Sequence, residues 1–386
     1  MKVLVIPTWY PSGKDKLIGQ YHKEFTEALN KFGVDANMLY IERMRLNNPL
    51  KYLFAKKKNV IAEDNYKVYI QRMLNIGRVS FDLQLKSYVK KMDKAFKEYL
   101  KHNDKPDILH AMVTIPAGYA ACKLGEKYNI PVVVTEHSSY FERYFKNPNQ
   151  KKYGMYVLKN STFSTVSNYT KNIMLKYTDK CFVLPNLVNT NIFNSSINRK
   201  IDKTFNLISV CALREGKNLD VAFRAIKKLI DEGMDIHYDI VGDGFYEDIY
   251  KKAASEEGVN DYVTFLGRKN KKEISKIFDN EHALVISSEI ETFAIPGVEA
   301  LAAGLPVITT DCMGPTEYVD DKTGIICKVN DSDSMAAAIK SVFIHYDKYN
   351  KKDLIERAKK YDAENIIKGT KKIYEAAIKK SSKKEK

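Results

Sequence analysis

Short apolar runs alternate along this chain with longer stretches whose apolar positions recur every three or four residues. The runs Val3–Ile6, Ile108–His110, Val132–Thr135 and Phe163–Val166 predict buried strands in the first half. Leu207–Val210, His237–Val241, Val263–Phe265, Ala283–Ser287 and Val307–Thr309 predict them in the second. Helical spacing predicts helices over Glu24–Lys31, Leu83–Lys101, Leu219–Glu232, Glu247–Glu256 and Met335–His345. Strands this short, alternating with helices, predict an α/β fold with parallel sheets covered on both faces. Ligands of such sheets bind beyond the carboxyl ends of the strands, so the loops that follow strands are read most closely.

The segment Leu184–Asn206 is rich in Asn and Ser and has no clear periodicity, as a linker does. It divides the chain into two Rossmann-like domains, 1–185 and 186–360, expected to face each other across a cleft. A length of 386 residues suits two such cores. Sixty-three Lys and Arg against 48 Asp and Glu leave a net charge of +15, which points to an anionic partner. The basic residues are dispersed, without a basic strand set interleaved with aromatics and without a zinc pattern, so nucleic acid is not the expected one. Five widely spaced cysteines with no CxxC pair argue for a reducing compartment. The opening apolar run is too short for a secretory signal, and the longest uncharged run, Cys181–Asn198, contains Pro185. The expected location is cytoplasmic.

The most informative stretch is Ser287–Asp311, SSEIETFAIPGVEALAAGLPVITTD. Pro296 suits the first helical position, where its missing N–H costs nothing. The amides around Phe293–Gly297, those of Ala294 and Ile295 among them, then sit at a helix N-terminus, which favours a phosphate or sugar oxygen. Glu299 falls in the first turn, and an ionised carboxylate accepts both hydrogens of a vicinal diol. Gly304 ends the helix and Pro306 begins the next strand. Two glutamates flanking seven residues near a helix start are by themselves no more than good dipole partners. The whole run, continuing to Glu317 and Gly324, resembles the donor-site signature of GT-B glycosyltransferases of family 4. That resemblance implies that Glu291 contacts the transferred sugar and Glu299 the ribose of a nucleotide. The family usually has Gly where this chain has Ala294.

Other loops extend the resemblance. Val210–Asp220, VCALREGKNLD, places Lys217 at a helix start, where the family holds the donor diphosphate with an Arg and a Lys. Lys217 matches the Lys, Ala212 occupies the Arg position, and Arg214 is the substitute two residues on. Ile240–Gly244, IVGDG, resembles the turn lining the nucleotide pocket through Gly242 and Gly244. It is no dinucleotide fingerprint, because GxGxxG requires Gly where Glu247 stands. Arg268, after Phe265–Gly267, falls where the family faces the nucleobase. His137, in VVVTEHS, matches a histidine near the reacting sugar carbon, and an imidazole titrates in the range acid–base work needs. Gly19 is the candidate for close backbone approach in the loop after the first strand. Leu187 and Asn189 replace the family's usual Gly and Asp between the domains. Tyr361–Tyr374 resembles a final helix, within 361–386, that crosses back onto the first domain.

The resemblance implies a retaining transfer of a sugar from a nucleotide-sugar donor, a UDP-sugar first, to a glycan or lipid-linked acceptor, with no metal and no cofactor. Leu46–Lys58, LNNPLKYLFAKKK, suits either a solvated amphipathic helix or an anionic membrane surface, each cation there contributing ~1 kcal/mol. A peripheral position at the inner face of a membrane is therefore left open. The rival readings are a nucleotide-sugar epimerase on the same fold and a non-enzymatic nucleic-acid-binding protein.

Overall fold

The computed structural model describes residues 1–11, 18–45, 58–75, 80–195, 197 and 199–382. The basic segment 46–57, part of the loop before Gly19 and the end of the charged tail lie outside the described residues. The chain divides into two units. The first is 1–166 with 171–184 and 366–386, and the second is 185–365 with 167–170. No described helix is long and apolar enough to cross a membrane.

In the first unit the described strands are β1 (Lys2–Pro7), β2 (Asp35–Arg45), β3 (Lys58–Ala62), β4 (Lys67–Asn75), β5 (Ile108–Met112), β6 (Val132–Glu136), β7 (Thr162–Thr165) and β8 (Phe182–Val183). They form one sheet in the order β3-β4-β2-β1-β5-β6-β7-β8, parallel throughout except for β3 against β4. β5, β6 and β7 are buried along their whole length, and apart from His110 and Glu136 their residues are apolar or small. Phe96, Met92 and Leu124 from the covering helices fill the space over Leu4, Leu109 and Val134. The C-terminal helix belongs to this core from Ile366 onward. Tyr374 is buried with its hydroxyl 2.7 Å from His110 Nδ1, and Lys371 Nζ donates to the Phe32 carbonyl at 2.6 Å.

In the second unit β9 (Phe205–Val210), β10 (Ile236–Val241), β11 (Val263–Gly267), β12 (Ala283–Ile286), β13 (Val307–Thr310) and β14 (Gly324–Cys327) form a six-stranded parallel sheet in the order β11-β10-β9-β12-β13-β14. The helix Leu219–Asp231 buries Leu219, Ala222, Phe223, Ile226 and Leu229 on one face, the spacing a sheet-covering helix requires. Burying one such Phe or Leu contributes about 1.5–3 kcal/mol. The strand order reverses between β9 and β12. Chain leaves these neighbours in opposite directions, and a crevice opens at their carboxyl ends.

Glu281, just before β12, is 4% exposed and lies beside the Asp239 carboxylate. Burial first, and then repulsion from Asp239, push its carboxyl up to about 9 from an ordinary 4.5. The folded state therefore binds a proton that the unfolded chain has already released across that window, and stability falls as pH rises through it. Urea unfolding of the wild type between pH 5 and pH 9 is expected to show that decline, and Glu281→Gln to flatten it.

Candidate functional site

The crevice at the β9/β12 switch contains a cavity of about 290 Å³. Ser209, Cys211 and Ala212 wall it on the β9 side, and Ser287, Ser288 and Glu291 on the β12 side. The start of the helix Ile295–Ala303 closes it, with Ala294, Ile295 and Pro296 on the wall. Lys217 reaches in from the loop after β9 and forms a buried ion pair with Glu291 Oε1. Ser288 Oγ donates to the same carboxylate oxygen at 2.9 Å. Burial works to lower the Lys217 pKa, but the Glu291 carboxylate outweighs it and holds the ammonium above its ordinary value.

Hydrogen bonds to backbone carbonyls hold the two loops in register. Ser287 Oγ donates to the Lys217 carbonyl at 2.7 Å, and the Glu289 amide to the Gly216 carbonyl at 2.8 Å. The Glu291 amide donates to Cys312 O and its carbonyl accepts from Gly314 N, which fixes the strand-like turn that aims the carboxylate. Ala294 has φ 56°, a left-handed conformation that a glycine adopts without strain. The alanine thus keeps the backbone bend, and the Tyr318 hydroxyl secures it by donating to Ala294 O at 2.8 Å. The helix starts at Ile295, so Pro296 is its second residue and Glu299 its fifth, one residue deeper than the sequence pattern places it. Gly304 ends the helix with φ 81°.

The remaining sequence-derived candidates lie elsewhere. Glu299 is 3% exposed and off this wall, with Lys271 Nζ 3.1 Å from its Oε1. Lys271 escaped the sequence reading. Its signal is the capping box of Asn270 and Glu273, which starts a helix at Lys271 and thereby fixes its position. Phe293 is buried against Tyr318 and Tyr361 and anchors the loop from behind. Gly242 and Gly244 have no room for a side chain, because a Cβ on either would overlap the carbonyl of Cys211 or Leu213. They let the β10 turn prop the β9 loop, and the Leu213 amide donates to Asp243 O at 2.8 Å. Arg268 extends that turn, its guanidinium 2.7 Å from Asp243 Oδ1. Arg214 stands close enough to act on both Lys217 and Cys211.

His137 and Gly19 belong to the first unit. The His137 ring lies 5.0 Å from Tyr21 and 5.5 Å from His22, centroid to centroid, with its Nε2 3.3 Å from Met112 Sδ. Buried Glu136, not singled out in the sequence, shapes this turn by accepting from Ser138 N at 2.7 Å and Thr114 N at 2.9 Å. His22 is buried as well, and burial, then the neighbouring His137 and His110, hold it well below its usual range. Gly19 precedes the helix Gln20–Lys31 with φ 79°, and a Cβ there would lie 2.5 Å from the Trp9 carbonyl. Its close approach is to the chain's own loop. Among the described residues no group of three or more His, Cys, Asp or Glu is placed to hold a metal.

Residues 191–361 match the family described as glycosyl transferases group 1, and residues 23–192 match glycosyltransferase family 4. An uncharacterized glycosyltransferase of Methanocaldococcus jannaschii is 29% identical over 70% of this chain and 75% of its own length. The amylovoran biosynthesis glycosyltransferase AmsK of Erwinia amylovora is 27% identical over 38% of each chain, so this chain spans well under half of that relative. The Anabaena protein HepE, solved in complex with UDP, superposes with TM-score 0.73 at 15% identity, covering 97% of this chain and 100% of its own.

Two stability effects follow. Removing one partner of the buried pair, as in Lys217→Met, is expected to cost about 3–5 kcal/mol in urea unfolding. The double variant Lys217→Met/Glu291→Gln is expected to lose less than the sum of the singles. Ala294→Gly relieves a left-handed alanine worth about 1–2 kcal/mol of strain, partly offset by the freer unfolded chain, and is expected to raise the melting temperature.

Proposed function

The chain belongs to the GT-B glycosyltransferases of family 4 and group 1, and from that premise we propose that it is a retaining transferase that uses a nucleotide-sugar donor. The donor class proposed is UDP-sugar, in keeping with the UDP bound by the Anabaena relative. The acceptor class proposed is a glycan or a lipid-linked acceptor, the former in keeping with the relative named for amylovoran biosynthesis. The observation that carries the reading is the Lys217–Glu291 pair on the wall of a crevice at the β9/β12 switch.

In this reading Lys217 meets the donor diphosphate, with Arg214 beside it, and stabilises the charge that grows as the anomeric C–O bond breaks. The amides at the start of the helix Ile295–Ala303 add their dipoles. Glu291, released from Lys217, takes a sugar hydroxyl and sets the anomeric carbon. Glu299 binds the ribose diol, exchanging Lys271 for it. His137 is assigned to the reacting end of the sugar. A glycan or lipid-linked hydroxyl attacks on the face the nucleotide leaves, its oxygen bonds to the anomeric carbon as the C–O bond to the diphosphate breaks, and its proton passes to the departing phosphate oxygen.

Thermal shift without metal, using UDP, GDP, ADP and CMP, tests the donor site. UDP at ~100 times its dissociation constant is expected to add ~2.7 kcal/mol, and Glu299→Gln to shrink that gain. Glu291→Gln is expected to keep the nucleotide shift and lose transfer, and the product is expected to retain the donor's anomeric configuration by NMR. The absence of stabilisation by any nucleotide overturns the donor assignment, and an inverted product overturns the retaining one.

A further inference from the structure

The first unit contains a cavity that the donor-site reading leaves unused. It measures about 370 Å³ and opens at the carboxyl ends of β1, β2 and β4. Its walls are largely apolar, with Trp9, Met73, Leu85, Ile115 and the Tyr144 ring among them. That volume suits a small molecule rather than a polymer segment.

Two kinds of polar group on the wall lack what such groups normally have. Tyr88 is 3% exposed, and among the described residues neither its hydroxyl nor the buried Oε1 of Gln150 has a hydrogen-bond partner. Buried groups left this way are costly, and in native proteins they call for an explanation. Arg43 and Arg143 also line the cavity. Among the described residues neither has a carboxylate within ion-pair distance. Arg143 donates to the Tyr144 hydroxyl at 2.9 Å, its guanidinium 4.9 Å from the ring centroid. Both guanidinium charges act on that hydroxyl, and Arg43 acts on Tyr88 as well. Two cations without carboxylates beside an apolar chamber complement a molecule with an anionic group on an apolar body. A guanidinium fork fits phosphate in particular.

We propose that this cavity binds a phosphorylated amphiphile, its phosphate between Arg43 and Arg143 and its apolar body against Trp9, Met73 and Ile115. The Tyr88 hydroxyl and Gln150 Oε1 then bond to the polar part of the same ligand. Its role as the acceptor rests on the transferase reading, whereas the binding itself does not. The acceptor would then be recognised through a phosphate carried next to hydrocarbon.

Calorimetric titration of the full chain with geranyl phosphate, geraniol and inorganic phosphate tests this. Geranyl phosphate is expected to bind saturably. Geraniol and inorganic phosphate are each expected to bind about tenfold more weakly or worse. Arg43→Gln/Arg143→Gln changes two exposed side chains and is expected to weaken geranyl phosphate about tenfold while leaving UDP stabilisation unchanged. Tyr88→Phe is expected to weaken it with no change in fold. No saturable binding, equal binding by the double variant, or equal binding of geraniol or of inorganic phosphate overturns the proposal. UDP stabilisation measured on the same samples separates the two readings. If it persists without geranyl phosphate binding, only the cavity assignment fails. If it is missing, the donor assignment fails whatever the cavity binds.

Discussion

The buried contact between Lys217 and Glu291 is what the second unit is arranged around. Each side chain sits where desolvation of a charge costs several kcal/mol, and the other charge together with Ser288 offsets it. Such a pair is weak evidence of selection for stability, because apolar residues of similar volume do as well or better. What it provides is position. It spans the two loops that leave neighbouring strands in opposite directions, and Ser287 and Glu289 tie the same loops through backbone carbonyls. A polar, charged wall is thereby held at the switch point before any ligand arrives.

The support for that wall is close backbone packing. Gly242 and Gly244 allow the β10 turn to lie directly on the β9 loop, and Gly314 lies directly on Thr292. A side chain at any of these three positions would push apart the loops that carry Lys217 and Glu291. Phe293, wedged between Tyr318 and Tyr361, holds the β12 loop from the core side. Residues that look like ligand contacts in the sequence can therefore act one step behind the wall, as rigid backing for the groups that face the cavity.

How much of this was legible depended on burial. Strands covered on both faces, such as β5, β6, β12 and β13, appear largely as apolar runs and are legible, as is the glycine that ends the helix after Glu299. β2, the longest described strand, is not among the predicted ones: its apolar run Met38–Ile41 is short and flanked by Asp35, Asn37, Glu42 and Arg43. β3 and β4 follow it at the same side of the sheet, where β3 alternates with solvent and runs antiparallel. The pairings were out of reach. Lys217 and Glu291 are 74 positions apart, and Lys271 meets Glu299 only because a capping box starts its helix at the right place. Spacing along one element encodes local geometry, whereas contacts between loops of different strands come from sheet order, which periodicity does not specify.

On the transferase reading, the ion pair also orders the steps of binding. Lys217 has one ammonium and two claimants, the Glu291 carboxylate and a donor diphosphate. A diphosphate carries more charge than a carboxylate and accepts several hydrogen bonds, so it competes for the ammonium where a neutral sugar does not. As the phosphate takes Lys217, Glu291 loses its cation inside a buried wall and needs new donors. The hydroxyls of the attached sugar are the donors that arrive with the phosphate. A sugar without its nucleotide does not displace Lys217, and a nucleotide without its sugar leaves Glu291 with Ser288 alone. The two halves of the donor are thus coupled through one protein contact, and the coupling favours the intact nucleotide sugar over either fragment.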